Sequence, residues 1–510
     1  MQKLLGSAKH TVIFAFIVVI FLANSIPYLL SQSVNADEGA YTTYAIRYLK
    51  GDPVRVEPRR DNSMMPVIAW NLVPRVVQQL LQPGLSKDDE GRSDIINGRF
   101  MSLVIGIWIM WVLYIFGSEL FDKRTGLLAA VFFSICPNSL ANASFASTDI
   151  YSVLVVLLTV FLYWRWRQHS KTSYFILLAV VVALGQVTKQ SMTYLYLLLP
   201  IMLWVSGDYK RLQTRQAIKG VFVFLIIQWL LINAVYYFYH SFMPLGEYSF
   251  LSSAFMGLQN ILPSGLWVPL PEPYITGLDQ AVYYNQLGGG IAGESCFGKV
   301  TILGKAFTGE GIWYYYLVTL FFKTPIPLLL FIVAAIASRQ RTVPHKTFLL
   351  LPVLFFLLVM SLMYQVQAGV RHIIFIYPLL FLLSAAWVVN MLDTRWRWVV
   401  YVGLALWVIS VGRYWGQFYP YTNELILDKK NAWQWVGHAN LDIHQGYLAA
   451  NKFLQAHQDI QMLPDRPGKG KFLVSVNDYL DIWNTGAFDW IRKYPVSGEV
   501  AFTWLIIEVP

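Results

Sequence analysis

The chain has 510 residues, of which 56% are hydrophobic and 13% are charged, whereas a soluble domain carries about 25% charged residues. Together with 19 Trp and 30 Tyr, this composition excludes an ordinary soluble domain and is typical of a membrane protein with aromatic belts. The net charge of +10 comes from small basic groups between apolar runs. Nucleic-acid binding would favour one basic stripe, so the membrane interpretation is preferred.

Eleven apolar runs divide the chain, each near the roughly 20 residues that a bilayer requires, and they predict as many transmembrane helices. They lie at residues 11–30, 99–118, 125–140, 149–166, 173–188, 191–206, 218–238, 313–337, 347–364, 372–390 and 398–413. The first run is too long and too poor in small residues for a cleaved signal peptide, so we expect it to be retained. The predicted fold is therefore an all-α polytopic membrane protein.

Basic residues mark one side of this arrangement. The short loops of that side contain Lys3, Lys9, Lys123, Arg124, Arg165, Arg167, Lys171, Lys210, Arg211, Arg215, Lys219, Arg339, Arg341, Lys346, Arg395 and Arg397. The opposite short loops contain only Lys189 and Arg371. The positive-inside rule then predicts a cytoplasmic N-terminus and an extracytoplasmic C-terminus.

Three longer segments fall on the outer side: residues 31–98, 239–312 and 414–510. In the first, Met65–Gln82 is apolar with a helical period and is broken by two prolines, which predicts an interfacial helix. The last has soluble character and a strand-like run, Lys471–Val476. We expect a transmembrane module at 1–413 and a small α/β extracytoplasmic domain at 414–510.

Acidic residues stand at the outer ends of two spans. Asp37 and Glu38 follow the first span, and Asp149 opens the fourth. Each could simply cap the helix that it precedes, because negative charge is favourable at a helix N-terminus. Alternatively, a carboxylate here could act as a general base on an incoming hydroxyl. The shared membrane depth of these acids favours one common site.

Cations at the same membrane depth as these acids are exceptions to the positive-inside rule. Lys189 ends the fifth span, and Arg371 with His372 begins the tenth. A lone lysine in such a place is usually a snorkelling side chain. An arginine fork and a lysine point charge also suit a phosphate. Acids and phosphate-binding cations on one face predict transfer from a phosphate-bearing donor to a hydroxyl.

The other motifs in the sequence give little information about function. Gly288–Gly293 matches a dinucleotide fingerprint but has no preceding strand and no surrounding βαβ unit. The sequence contains no P-loop, no zinc spacing of Cys and His, and no repeat of fixed period. Cys136 and Cys296 are interpreted as packing residues, since two cysteines cannot form a disulfide framework.

Several short motifs together resemble those of the GT-C glycosyltransferases, in particular the protein mannosyltransferase and lipid A aminoarabinose transferase branch. They are Asp37-Glu38-Gly39, the stretch from Gly98-Arg99-Phe100 through Thr148-Asp149 to Trp166, Thr188-Lys189, Phe322–Pro327, Gly369–His372, Tyr421–Leu425 and Asn440–Asp442. The resemblance covers about residues 10–205 and 310–450. Asn35-Ala36 stands where the family often has His-Pro, and Met64-Met65-Pro66 stands where it often has Pro-Pro.

The resemblance implies a membrane glycosyltransferase that uses a polyprenyl-phosphate-linked sugar and inverts the anomeric carbon in one displacement. Asp37 is expected to be the base, with Glu38 as its support or as a capping residue. Asp149 would position the acceptor or the donor, or would ligate a metal if one is bound. Lys189 and Arg371, assisted by His372, would neutralise the phosphate leaving group. No cofactor is required by this scheme, and a divalent metal is optional because the cations can supply its charge.

Two other classes stay open at this point. A lipid transporter or flippase would also gather charges near a cavity, although usually at mid-membrane on two matching halves. A non-catalytic scaffold presenting the outer tail is the third option. The expected partners are the bilayer, a polyprenyl-phosphate sugar and a protein, lipid or glycan acceptor. The bacterial-type motifs predict the bacterial plasma membrane as the location.

Overall fold

The protein is described by a computed structural model that covers residues 8–55, 63–81, 92–211, 213–288, 299–339, 341–464 and 466–510. Four features of the sequence lie outside these described residues, namely Lys3, Gln82, Cys296 and the glycine-rich run 289–293. The expectation of a mostly helical chain is confirmed.

The helices of the first half are α1 (Ala8–Ser31), α2 (Glu38–Leu49), α3 (Val73–Leu81), α4 (Arg92–Leu120), α5 (Lys123–Ile135), α6 (Pro137–Ala143), α7 (Asp149–His169), α8 (Thr172–Gln186), α9 (Leu195–Val205) and α10 (Thr214–Val235). Those of the second half are α11 (Ser253–Ile261), α12 (Glu272–Gln286), α13 (Tyr315–Lys323), α14 (Ile326–Ala337), α15 (Lys346–Met363), α16 (Tyr377–Leu392), α17 (Arg397–Gly412), α18 (Ala432–Trp435), α19 (Tyr447–Ala456) and α20 (Val476–Leu480).

The strands are short and lie outside the apolar helices. They are β1 (Met243–Pro244), β2 (Trp267–Val268), β3 (Lys299–Ile302), β4 (Lys305–Thr308), β5 (Ile460–Met462), β6 (Gly470–Ser475), β7 (Val496–Val500) and β8 (Trp504–Val509). β1 pairs with β2 and β3 with β4, both antiparallel. The last four form one sheet in the order β5-β6-β8-β7, parallel only between β5 and β6.

The predicted spans coincide with apolar helices. Among the described residues, six helices are long and apolar enough to cross a membrane: α1, α4, α7, α10, α15 and α16 with the turn before it. Two bent helix pairs raise this number to 8. α8, α9 and α17 are apolar but shorter. The number of crossings, predicted as eleven from the sequence, therefore stays a prediction.

Two of the predicted spans are broken, which the sequence interpretation did not foresee. α5 and α6 meet at an angle of 70° and α13 and α14 at 118°. In both pairs proline begins the second helix: Pro137 opens α6, and Pro325 precedes α14. The residue before a proline is driven towards extended backbone, as Cys136 and Thr324 are here. Lys323, the last residue before the second break, is completely buried.

Burial separates the centre of the bundle from its rim. The apolar window of α16 is 83% buried and that of α7 is 78% buried, whereas that of α10 is only 17% buried. A helix that is apolar on all sides and buried belongs to the core, and one that is apolar and exposed faces lipid. α7 and α16 are thus the most buried of the six long apolar helices in the described residues, with Asp149 at the start of α7 and Arg371 in the turn before α16.

The segment expected to form an interfacial helix is helical. Pro66–Leu72 is a 3₁₀ turn and α3 follows it. Ile68 and Leu72 are buried against the tyrosines of α2, whereas α3 has no buried residue. Its exposed apolar side chains suit the boundary of a membrane, and that location stays a prediction.

The C-terminal tail contains the expected strand, since β6 spans Gly470–Ser475. The tail is also bonded to the first outer loop, because Ser33 N donates to Gln445 O at 3.0 Å and Ala36 N donates to Ile443 O at 3.1 Å. The residues after α17 therefore pack on the loop that carries Asp37. Whether 414–510 is a separate domain stays a prediction.

The orientation of the chain can be tested directly. A reporter fused after Pro510 is expected to be active only outside the cytoplasm, because the basic short loops favour the cytoplasmic side. The same reporter inserted between Lys210 and Arg211 is the control and should be active only inside. Cytoplasmic activity of the Pro510 fusion would contradict the predicted number of spans.

Candidate active site

The turn before α2 leaves Asp37 available for chemistry. Asn35 Oδ1 accepts hydrogen bonds from Asp37 N at 2.9 Å and Glu38 N at 3.0 Å, so this amide does the work of a helix cap. The side chain of Asp37 makes no capping hydrogen bond. The sequence had left capping as one explanation of the Asp37 carboxylate, and the structure gives that role to Asn35.

Asp37 meets the cation at the start of α16. Arg371 Nη1 donates to Asp37 Oδ2 at 2.5 Å, and Arg371 Nε donates to Ala368 O at 3.2 Å. The turn that carries Arg371 depends on Gly369, whose φ is +86°. A Cβ at Gly369 would lie 2.5 Å from Ala439 O, so a side chain there would collide with the tail.

Asp149 and Lys189 form a second pair. Lys189 Nζ lies 2.5 Å from Asp149 Oδ1, and their side chains are only 14% and 7% exposed. Asp149 begins α7, and Lys189 follows α8 at the point where the chain turns back. A lysine that snorkels to water would be exposed, whereas this one is held inward by a carboxylate.

Tyrosines join the two pairs into one cluster. Tyr41 on α2 and Tyr419 in the tail both interact electrostatically with Asp37, Asp149 and Arg371. Burial raises the pKa of Tyr41 and of Tyr419, and the two carboxylates raise these pKa values further. Both phenols therefore stay protonated, and that of Tyr419 donates to Ala439 O at 2.7 Å.

His372 belongs to the same cluster, close to Lys189 and Arg371. Its Nδ1 lies 3.4 Å from the hydroxyl of Tyr316 on α13. The structure thus brings together five of the six residues that the sequence had selected: Asp37, Asp149, Lys189, Arg371 and His372.

Glu38, the sixth, points away from this cluster and is completely buried. Arg99 on α4 binds it with two donors, Nε to Oε1 at 2.8 Å and Nη2 to Oε2 at 2.6 Å. Ala146 N and Asn35 N occupy the remaining positions on the two oxygens, at 2.9 and 3.0 Å. A carboxylate with four donors has no room for a substrate proton. Glu38 is therefore a positioning residue.

Arg99 was present in the sequence only as part of a family-like motif. It also donates to Leu29 O at 2.7 Å and to Ser33 O at 2.6 Å, which ties the end of α1 to α4. An arginine within an apolar run is a functional or structural signal by itself, because an unpaired charge at that depth is expensive. The signal could have identified Arg99, but not its partner.

The C-terminal tail, residues 414–510, forms one side of the site. Asn440 Oδ1 accepts from Val370 N at 3.0 Å, and Asn440 Nδ2 donates to the hydroxyl of Tyr315 at 3.0 Å. That hydroxyl in turn accepts from Gly369 N at 2.9 Å. These bonds hold the turn from which Arg371 projects.

Lys323 also holds the tail in place beside the site. Its Nζ donates to Tyr419 O and Asn440 O, both at 2.6 Å, and its side chain is completely buried. In the sequence, Lys323 belongs to the family-like motif Phe322–Pro327. Both of its hydrogen bonds go to backbone carbonyls, so Lys323 links α13 to the tail.

His438 also faces the cluster from the tail. Burial and, to a smaller extent, the charge of Arg371 lower the pKa of His438 to about 4, so the imidazole is neutral at neutral pH. Sequence reasoning missed His438, Tyr41 and Tyr419, because single aromatic residues in long loops carry no pattern.

The described residues contain no group of three or more His, Cys, Asp or Glu side chains that could hold a metal ion. The positive charges that the chain itself provides are those of Lys189 and Arg371. The cluster can therefore bind an anion beside a carboxylate, which is the arrangement needed to stabilise a phosphate leaving group.

The family model described as dolichyl-phosphate-mannose-protein mannosyltransferase matches residues 91–232, which hold Arg99, Asp149 and Lys189. No curated protein sequence matches the chain. Among solved structures, the archaeal oligosaccharyltransferase AglB from Archaeoglobus fulgidus, in complex with an inhibitory peptide and a dolichol-phosphate, is similar at a TM-score of 0.50 and 12% identity. That match covers 79% of this chain and 54% of AglB.

The resemblance to the GT-C superfamily agrees with the family-model match over residues 91–232 and with the fold shared with AglB. ArnT from Cupriavidus metallidurans bound to undecaprenyl phosphate is similar over 98% of both chains, at a TM-score of 0.49 and 13% identity. The GT-C resemblance and the apolar helices together identify a multi-pass membrane protein.

Proposed function

We propose that this protein is a membrane glycosyltransferase that moves a sugar from a polyprenyl-phosphate-linked donor to an extracytoplasmic protein, lipid or glycan. The observation that carries the proposal is the cluster of two acid–cation pairs, Asp37 with Arg371 and Asp149 with Lys189, at the outer ends of buried apolar helices. Such a cluster offers a base and an anion site side by side.

Two of the similarities support the donor class. The matching family model names a dolichyl-phosphate-linked sugar, and AglB is described in complex with dolichol-phosphate. A lipid-linked donor can reach this site laterally from the bilayer. It also needs no nucleotide-binding fold, and the described residues contain no parallel sheet larger than the β5–β6 pair.

The reaction that we propose is a single displacement. The acceptor hydroxyl oxygen attacks the anomeric carbon from the face opposite the phosphate, and Asp37 takes the hydroxyl proton. The bond between that carbon and the phosphate oxygen breaks, so the sugar is inverted and polyprenyl phosphate leaves. The phosphate gains negative charge in this step, and Arg371 and Lys189 stabilise that charge.

Donor binding also prepares the base. Arg371 is engaged with Asp37. A bound phosphate competes for the guanidinium and loosens this pair, which frees the Asp37 carboxylate for the acceptor. Asp149 holds Lys189 in place, His372 assists at the phosphate, and the bonds of Glu38 with Arg99 fix the turn that carries Asp37. We place the protein in the bacterial plasma membrane, with this face outside.

Removing the charge of Lys189 tests the phosphate site. Lys189→Met keeps the length of the stem and should weaken binding of both donor and polyprenyl phosphate, because the leaving group loses one of two cations. Arg371→Lys keeps the charge but loses the planar fork and should also weaken donor use. Titration of polyprenyl phosphate into the purified protein measures both effects.

Lys305→Met is the matched control, because Lys305 is an exposed outer lysine on β4. It should leave the affinity unchanged. Equal affinities of wild type and Lys189→Met would mean that Lys189 only anchors its helix, and would contradict its proposed role.

The function itself is tested by reconstituting the purified protein with polyprenyl-phosphate sugars and following sugar transfer by mass spectrometry. Comparison of envelope glycans, lipids and proteins with and without the gene identifies the acceptor. Movement of labelled lipid across the membrane without any sugar transfer would instead support a flippase.

A further inference from the structure

The long outer loop contains an uncharged segment. From Tyr248 to Pro271 the sequence has no Asp, Glu, Lys, Arg or His. The segment holds α11, and the strands β1 and β2 close its base, with Met243 opposite Val268 and Pro244 opposite Trp267. We call residues 243–268 the outer finger.

The outer finger turns two of its polar side chains inward. Gln259 Nε2 donates to Leu245 O at 2.7 Å and to Tyr248 O at 2.8 Å. Ser252 Oγ accepts from Phe255 N at the start of α11 and donates to Asp279 Oδ1 at 2.7 Å. Gln259 and Ser252 are thus satisfied within the protein, whereas Glu247 at the base of the finger, Asn260 and Ser264 are exposed.

Its apolar side chains point outward instead. Ile261 is 81% exposed and Trp267 is 69% exposed. Leu258, Leu266 and Met256 are exposed beside them. An apolar surface of this kind is unfavourable in water and marks contact with another molecule or with a membrane.

The position of the finger favours contact with the membrane over contact with another molecule. After α10 the chain folds back, so that the rings of Phe238 and Phe242 lie 6.3 and 6.4 Å from that of Trp229. Trp229 lies about 9 Å below the end of α10, at 1.5 Å per residue. α10 is the least buried of the six long apolar helices in the described part of the chain, as expected of a helix that faces lipid. The apolar face of the finger therefore continues a lipid-facing surface.

We infer that the outer finger is inserted into the outer leaflet of the bilayer, with Ile261 and Trp267 as its anchors. Tryptophan at the membrane interface has an apolar ring for the lipid and a polar N–H for the headgroups. A segment lying in the interface is buried about 5–10 Å into the boundary between headgroups and acyl chains. Its backbone is compatible with this depth, because Phe242 N donates to Val268 O at 2.9 Å and Leu245 N donates to Leu266 O at 2.8 Å.

Site-directed quenching in vesicles tests this inference on the full chain. Cys136 and Cys296 are replaced by alanine, and single cysteines are introduced as Ile261→Cys and Gln458→Cys for a polarity-sensitive fluorophore. Gln458 is the control, because it is exposed in a polar turn of the tail. Phosphatidylcholine vesicles carry a nitroxide on the acyl chain, and iodide is the aqueous quencher.

The probe on Ile261→Cys is expected to emit at shorter wavelength than that on Gln458→Cys and to lose intensity to the nitroxide lipid but not to iodide. The Gln458→Cys probe should respond in the opposite way. Quenching of the Ile261→Cys probe by iodide alone would overturn the inference. Protection from both quenchers would also overturn it, since the finger would then be covered by protein.

Discussion

Asp37→Asn is expected to abolish sugar transfer, with a loss of at least about 100-fold, the usual size of a general-base effect. The change is nearly isosteric. It keeps the backbone turn, because Asn35 and not Asp37 caps α2. The amide cannot accept the acceptor proton, so turnover should fall while the protein stays folded. The measurement is turnover of a polyprenyl-phosphate sugar by purified protein, alongside its thermal unfolding midpoint.

Asp52→Asn is the control for this variant. Asp52 lies just beyond the other end of α2, and its carboxylate is also paired with an arginine, Arg47. Losing this partly exposed pair should change turnover not at all and stability by no more than about 1 kcal/mol. Turnover of Asp37→Asn within a few-fold of wild type would remove Asp37 from the proposed mechanism.

Glu38→Ala is expected to destabilise the protein by about 3–5 kcal/mol, the range for leaving one member of a buried ion pair unpaired. Arg99 would keep its charge at 2% exposure but lose its carboxylate. The thermal unfolding midpoint in detergent, followed by intrinsic fluorescence, should fall clearly. Activity should fall with it, because the turn carrying Asp37 loses its attachment to α4.

The double variant Glu38→Ala with Arg99→Met distinguishes the loss of the ion pair from a general disruption of the fold. Removing both charges eliminates the unpaired buried arginine, so the double variant should be more stable than Glu38→Ala alone. If Glu38→Ala unfolds at the wild-type temperature, or if the double variant shows no recovery, the ion pair does not hold this part of the structure.

The sequence could predict the residue types of the candidate site but not their pairing. Asp37, Asp149, Lys189 and Arg371 were recognisable because ionisable residues at the ends of apolar runs are unusual. Arg371 is 334 positions away from Asp37, and no local pattern relates them. The sequence grouped Glu38 with Asp37, whereas a helix start sends neighbouring side chains in different directions, and only one of them reaches the site.

Hydrophobicity and charge are properties of the chain itself, so the sequence alone determined the apolar segments, the basic side and the mostly helical character of this protein. Other features depend on which surfaces meet after the helices pack. These are the sharp bends at Pro137 and Pro325, the burial of Lys323 under the tail, the pairing of Arg99 with Glu38, and the outward apolar face of the finger. A buried charge must find a partner, and a bent backbone must satisfy its freed groups. The tertiary structure decided which partners those are, because only packing brings distant residues within hydrogen-bond reach.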